Sequence, residues 1–380
     1  MQWNATVLAA TFASLLFAGC STPHAAGAAP HRRETRATSR SAPVGPLWEA
    51  HPATAPGAIT ADAAGTVLLG GDREVIALDH DGHEQWRTAI ADLSIEYPAL
   101  GAGLAVVSTA RAGGKADFVA LDRATGARRW HVRVAGTPGP VTVSPAHVFM
   151  VTQRGELLAF SPAGVPQWRI QLLGTFSSRG AIAYDPGTST VASVVFALHR
   201  GWLLELHDGR TGRDVGGFDL GATDPPSAVA TGLPHQLVLG TGDTHELLVI
   251  DLDARVVAHA IRTDAAFDPA SVPVVANDLA VVIDRRGTVI AVNLRTGEVR
   301  WERPLARPVL DSRPLISADA VVVATWGGSL NALALADGRA LPLAAAGGDG
   351  IPVAFALDAG RLVVARRLAT PNRVEAWPAP

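Results

Sequence analysis

From about residue 46 onward, short apolar runs alternate with polar, turn-forming breaks, the pattern of many short strands joined tightly. The stretch 289–301 shows the unit: an apolar run from Val289, a turn tightened by Thr296-Gly297, and a second strand ending in Trp301. The same design recurs in 118–130, which ends in Trp130, in 75–86, which ends in Trp86, and in 157–168, which ends in Trp168. Marking each copy by its equivalent of Ala291 gives Ala77, Ala120, Ala159, Glu205, Val249, Ala291, Ala332 and Ala376, spaced by 39 to 46 residues. A period near 42 residues with several strands per copy predicts the four-stranded blade of a β-propeller. In the sixth unit the strands are expected at 271–275, 279–284, 288–293 and 298–303. Apolar runs such as 280–283 and 321–324 suit strands covered on both faces.

The last unit offers three strands and then the chain stops. A fourth, with its tryptophan, stands at the other end as Pro46-Leu47-Trp48-Glu49-Ala50. The expected fold is therefore all-β: an eight-bladed propeller of antiparallel blades, its last blade completed by the N-terminal strand, which removes an open sheet edge. Trp48, Trp86, Trp130, Trp168 and Trp301 hold one repeat position, where an indole can wedge between adjacent sheets. Unit four has Val215-Gly216-Gly217 there, unit five loses both the glycine and the tryptophan, and unit seven has Leu341.

Composition narrows the functional classes. The 380 residues carry a formal net charge of −3 and no long basic stripe in the repeat region, which argues against nucleic acid as a partner. The single cysteine, Cys20, excludes an internal disulfide and a cysteine-ligated metal site in the body. Residues 5–18 form an apolar run too short for a span of roughly 20 residues. The run ends in small residues at Cys20, as an export signal does. Residues 21–45 are Ala, Pro, Ser, Thr and Arg with almost no large apolar side chain, the composition of a flexible tether. The expected organisation is a signal segment over 1–20, a tether over 21–45 and a propeller over 46–380.

Gly19-Cys20 resembles the lipobox of bacterial lipoproteins, which implies lipidation of Cys20 and a membrane-anchored place in the bacterial cell envelope. Ala120-Leu121-Asp122, Thr125-Gly126 and Trp130 resemble the repeat of the PQQ-type β-propellers. One branch of that family, the quinoprotein dehydrogenases, holds PQQ and Ca²⁺ beside a disulfide of adjacent cysteines, and this chain has no such pair. The other branch is that of the BamB-like lipoproteins of outer-membrane assembly, which bind proteins through loops on one face of the ring. The resemblance implies a monomeric, non-catalytic scaffold without a cofactor, whose partners are envelope or outer-membrane proteins. The alternative is a PQQ- or other ligand-dependent dehydrogenase or sensor using the central channel.

Individual residues add little chemistry. Asp79-His-Asp81-Gly-His-Glu84 has the look of a calcium loop but lacks the later bidentate Glu and falls on the repeat's own turn, as does Asp251-Leu-Asp253. The twelve histidines show no zinc spacing, and no nucleophile elbow or phosphate loop is present. Trp202 and Trp326 lie off the repeat's tryptophan position and, with Arg285 and Arg286, are the candidate partner contacts.

Overall fold

The structure, a computed structural model, describes residues 45–53, 56–61, 67–71, 73–90, 98–111, 114–176, 182–221, 224–269, 271–305, 313–317, 319–325, 329–347, 351–358, 360–367 and 372–380. It is an all-β propeller built from four-stranded antiparallel blades. Eight sheets are hydrogen-bonded among these residues: sheet 1 (56–89), sheet 2 (99–135), sheet 3 (138–171), sheet 4 (175–219), sheet 5 (230–262), sheet 6 (274–304), sheet 7 (315–341) and sheet 8 (351–378). Strands follow one another in sequence order within each sheet, and in sheet 4 the first strand is in two pieces, Thr175–Phe176 and Ile182–Asp185. Sheet 8 takes its fourth strand from the other end of the chain, with Trp48, Glu49 and Ala50 facing Ala376, Glu375 and Val374.

Burial follows from this stacking. The second and third strands of a sheet are covered on both faces, so 279–283 and 320–324 are buried at every position. Fourth strands lie outermost and alternate, as in Glu84–Ala89, where Trp86 alone is buried. Each apolar cluster is shared by two consecutive sheets. Ile76 and Leu78 of sheet 1 pack with Val363 and Ala365 of sheet 8, while Val75 and Ala77 pack with Ala105 and Val107 of sheet 2.

The repeated sequence has a direct geometric cause. In the third-to-fourth strand turn of sheet 2, Asp122 Oδ1 accepts the Ala124 and Thr125 amides at 3.1 and 2.9 Å and the Thr125 hydroxyl at 2.9 Å. Asp208 caps the corresponding turn through Arg210 and Thr211, and Asn293 does so through Arg295 and Thr296. The glycine that follows adopts positive φ, 70° at Gly126, and a Cβ there would come within 2.4 Å of the Trp86 ring of the preceding sheet. The indole N–H of Trp86 then donates to the Arg123 carbonyl at 3.0 Å. Asp, Gly and Trp of the repeat are therefore one device: the carboxylate shapes the turn, the glycine makes room, and the ring clamps the next sheet.

Marking unit four by Glu205 is corrected by the register. A bulge follows the marker residue in sheets 1, 2, 3, 5 and 6, and in sheet 4 it follows Leu206, which pairs with Gly216. Leu206, not Glu205, is the equivalent of Ala291. The shift of one residue turns Glu205 to the opposite face of its strand. The five tryptophans at the repeat position differ in burial: Trp86 and Trp301 are buried, whereas Trp48, Trp130 and Trp168 are half-buried.

Asp122 supplies a pH test. The Arg129 guanidinium, with the Thr125 hydroxyl and amide, holds its carboxyl down at about 2. A lowered carboxyl contributes stability above its unfolded value of about 3.9 and loses it as the pH falls toward the folded value. The difference in melting temperature between the wild type and Asp122→Asn should therefore be present at neutral pH and shrink between about pH 4 and pH 2. A difference that stays constant across that window would remove the carboxylate from the account.

Candidate protein-binding surface

Sequential antiparallel strands sort the connections onto two rims. First-to-second and third-to-fourth turns lie on one, the turn rim. Second-to-third turns and the links between sheets lie on the other, the link rim. The capped Asp-Gly turns occupy the turn rim. There Asp79, Asp81 and His83 come together with ligand atoms within 4.8 Å of one another. Asp79 Oδ1 is already engaged by the amides of Asp81 and His83, both at 2.9 Å, and Oδ2 by the Gln85 side chain at 2.7 Å. This is the turn cap of the other sheets, so the cluster is explained without a cation.

The link rim carries the two most exposed large apolar residues among those described. Leu173, in the link from sheet 3 to sheet 4, is 67% exposed, and Leu198, in the second-to-third turn of sheet 4, is 78% exposed. They are held close, because the Gly174 backbone abuts Phe196 and Ala197. The Leu173 amide donates to Glu205 Oε1 at 2.8 Å, and burial pushes the Glu205 carboxyl upward. Burial likewise pushes the neighbouring His207 imidazole downward. Neither leucine stands out in the sequence, because each belongs to an otherwise ordinary strand end.

The proposed contact residues fare differently. Trp202 is corrected: it is only 9% exposed and packs in the cluster between sheets 4 and 5, against Leu204, Leu237 and Leu239. Its alternation with Leu204 and Leu206 along the strand turns it inward, so it is no exposed anchor. Arg285 is on the link rim, with Nη1 2.7 Å from Asp224 Oδ2, and Arg286 beside it is exposed. Trp326 and Cys20 lie outside the described residues. Among the described residues no helix is long and apolar enough to cross a membrane.

First strands line the ring's interior. Those of sheets 1, 2, 3, 7 and 8 bound a central cavity of about 590 Å³, walled by Ile59, Leu100, Val141, Leu315 and Phe355. Arg313 is the one charged residue of that wall, which has no carboxylate among the described residues. Ca²⁺ takes six to eight oxygen ligands, carboxylates foremost. The described lining does not fit a Ca²⁺–PQQ pair.

Over residues 45–255 and 206–341 the sequence matches the family described as outer membrane protein assembly factor BamB. The chain belongs to the BamB family. No curated protein sequence matches it. Among solved structures, BamB from Moraxella catarrhalis is 18% identical and aligns over 88% of this chain and 99% of its own, with a TM-score of 0.65. Saccharomyces cerevisiae Sqt1 is 11% identical over 88% of this chain and 99% of its own, with a TM-score of 0.71. Quinohemoprotein alcohol dehydrogenase from Comamonas testosteroni is 15% identical over 87% of this chain and 76% of its own, with a TM-score of 0.62. At such identities these structures speak for the fold. On the link rim of this chain lie two exposed leucines, Leu173 and Leu198, and the Arg285–Asp224 ion pair.

Proposed function

We propose that this BamB-family chain is a non-catalytic scaffold of the bacterial envelope: an eight-bladed propeller that binds protein partners in outer-membrane protein assembly. The family match over 45–255 and 206–341 is the observation that carries the reading. Eight sheets, with clusters shared between neighbours including the eighth and the first, support the blade number. In this reading the segment before Cys20 is removed, Cys20 becomes the lipid-anchored N-terminus, 21–45 is the tether, and the protein is a monomer that does not bind nucleic acid. Exposed Leu173 and Leu198 support protein binding at the link rim, since apolar side chains that bury on association anchor interfaces.

The test is crosslinking in the native envelope followed by affinity purification. Outer-membrane assembly proteins are the expected partners. Leu173→Glu combined with Leu198→Glu should abolish their recovery while leaving the strand circular dichroism unchanged. Recovery of no envelope protein by the wild type would overturn the scaffold reading.

A second reading, a PQQ- or other ligand-dependent dehydrogenase or sensor, draws on the central cavity and on the shared fold of the quinohemoprotein dehydrogenase. Titration with PQQ and Ca²⁺, followed by absorbance and dye-coupled alcohol oxidation, separates the two. Tight binding with turnover would replace the scaffold by an enzyme.

A further inference from the structure

At six junctions between consecutive sheets, a ring on an outer strand lies over a positive-φ glycine in the next sheet's third-to-fourth turn. Trp48, Trp86, Trp130, Trp168, His259 and Trp301 sit on Gly82, Gly126, Gly164, Gly212, Gly297 and Gly338, where an added Cβ would come within 2.4–2.8 Å of the ring. The five indoles donate to turn carbonyls at 2.8–3.0 Å, and His259 Nε2 is 3.2 Å from the Arg295 carbonyl oxygen.

Between sheets 4 and 5 both halves of the device are gone. The register places Gly216 at the ring position, opposite Leu206, and a Cβ on Gly216 would meet nothing within 4 Å. On the receiving turn the positive φ, 57°, belongs to Arg255 rather than to a glycine. A cavity of about 320 Å³ remains there, with Leu206, Val215 and Leu252 as its apolar wall and the guanidinium-bearing Arg213 and Arg255 at its border.

The charges of the slot are unevenly spent. Its two carboxylates are engaged: Asp208 caps its own turn, with Arg210 3.7 Å away, and Asp253 lies 2.6 Å from His235 Nδ1. Arg213 and Arg255 have no ion pair among the described residues. The slot is therefore a place for a flat apolar group, bordered by two guanidiniums that make no ion pair among the described residues.

We propose that this slot recognises an aromatic side chain with an adjacent carboxylate, presented by a protein partner. The ring lies against Val215 and Leu252 with the Arg255 guanidinium over its face, and the carboxylate pairs with Arg213. The partner's ring thus supplies at this junction what the chain itself supplies at six others. Only the protein nature of the natural occupant rests on the scaffold reading.

The experiment uses the purified full chain and two probes, N-acetyl-L-tryptophan and its carboxamide, followed by saturation-transfer NMR. The acid should bind on the order of 1 mM, as suits a single anchoring side chain, and the carboxamide about tenfold more weakly, the loss of one charge-assisted contact. Arg213→Glu should weaken the acid about tenfold or more. Arg255→Gly should weaken both probes without lowering the melting temperature, because glycine takes positive φ freely. That second variant keeps the test intact if Arg213→Glu folds poorly. Absence of binding by the acid, equal binding of the carboxamide, or indifference to both variants would overturn the proposal. Failure of the probes leaves envelope crosslinking to judge the scaffold reading separately, and failure of crosslinking leaves the slot standing.

Discussion

Replacing Glu375 by alanine should cost about 3–5 kcal/mol of stability, the typical result of removing one partner from a buried ion pair. The Arg366 side chain is 0% exposed and the Glu375 side chain 2%, with Nε 3.0 Å from Oε2. The same carboxylate oxygen accepts the Trp377 indole N–H at 3.0 Å, and Oε1 accepts Arg373 Nη1 at 3.1 Å. Alanine would remove the carboxylate from a guanidinium buried inside sheet 8, whose Nη2 also donates to the Ala345 carbonyl at 2.5 Å. Sheet 8 is also the sheet completed from the N-terminal side, so the loss falls where the two ends of the body meet. Changing both residues to leucine removes the buried guanidinium together with its carboxylate and should recover part of the loss, the Trp377 indole N–H still losing its acceptor. Urea midpoints compare the three proteins. A single-variant change below about 1 kcal/mol would show that the carboxylate is not what compensates Arg366.

Trp301→Ala should be similarly severe, about 3–5 kcal/mol, because a large buried ring leaves a cavity that the sheets cannot close. Trp301 is 8% exposed, packs between sheets 6 and 7, and donates its indole N–H to Leu335 at 2.8 Å. Trp130 makes the equivalent bond to Pro162 at 2.9 Å but is half-buried. Trp130→Ala should therefore cost less. Equal losses at the two positions would mean that the hydrogen bond, and not the buried area, sets the value of the wedge.

Sheet architecture was legible because the hairpin concentrates its demands on few residue types. Only aspartate or asparagine caps that turn well, only glycine fits under the ring, and a tryptophan is hard to mistake. Legibility failed where those markers fell away together. Unit four has a glycine at the tryptophan position and leucine in place of the marker alanine, so the repeat pattern there points one residue early, to Glu205, and to the opposite face of the strand. Trp202 drew notice as an aromatic outside the pattern, although its alternation with Leu204 and Leu206 carries it into the core. His259 was invisible as a substitute because an imidazole bears no sequence likeness to an indole. An open slot at Gly216 is a missing side chain, and no periodicity reports that. The exposed pair Leu173 and Leu198 becomes visible only when two connections 25 positions apart are folded onto one rim.

Sheet 8 also determines how the molecule answers a mechanical load. Tension arriving at Gly45 meets a clasp of three residue pairs, Trp48–Ala50 against Val374–Ala376, fastened by the Trp48 indole on the His80 carbonyl at 2.9 Å and by Arg373 on Glu49 at 3.0 Å. Pulled from that end, an antiparallel strand peels one pair at a time. Release of the N-terminal strand would bare the edge of the 373–378 strand, whose backbone could then pair with another chain.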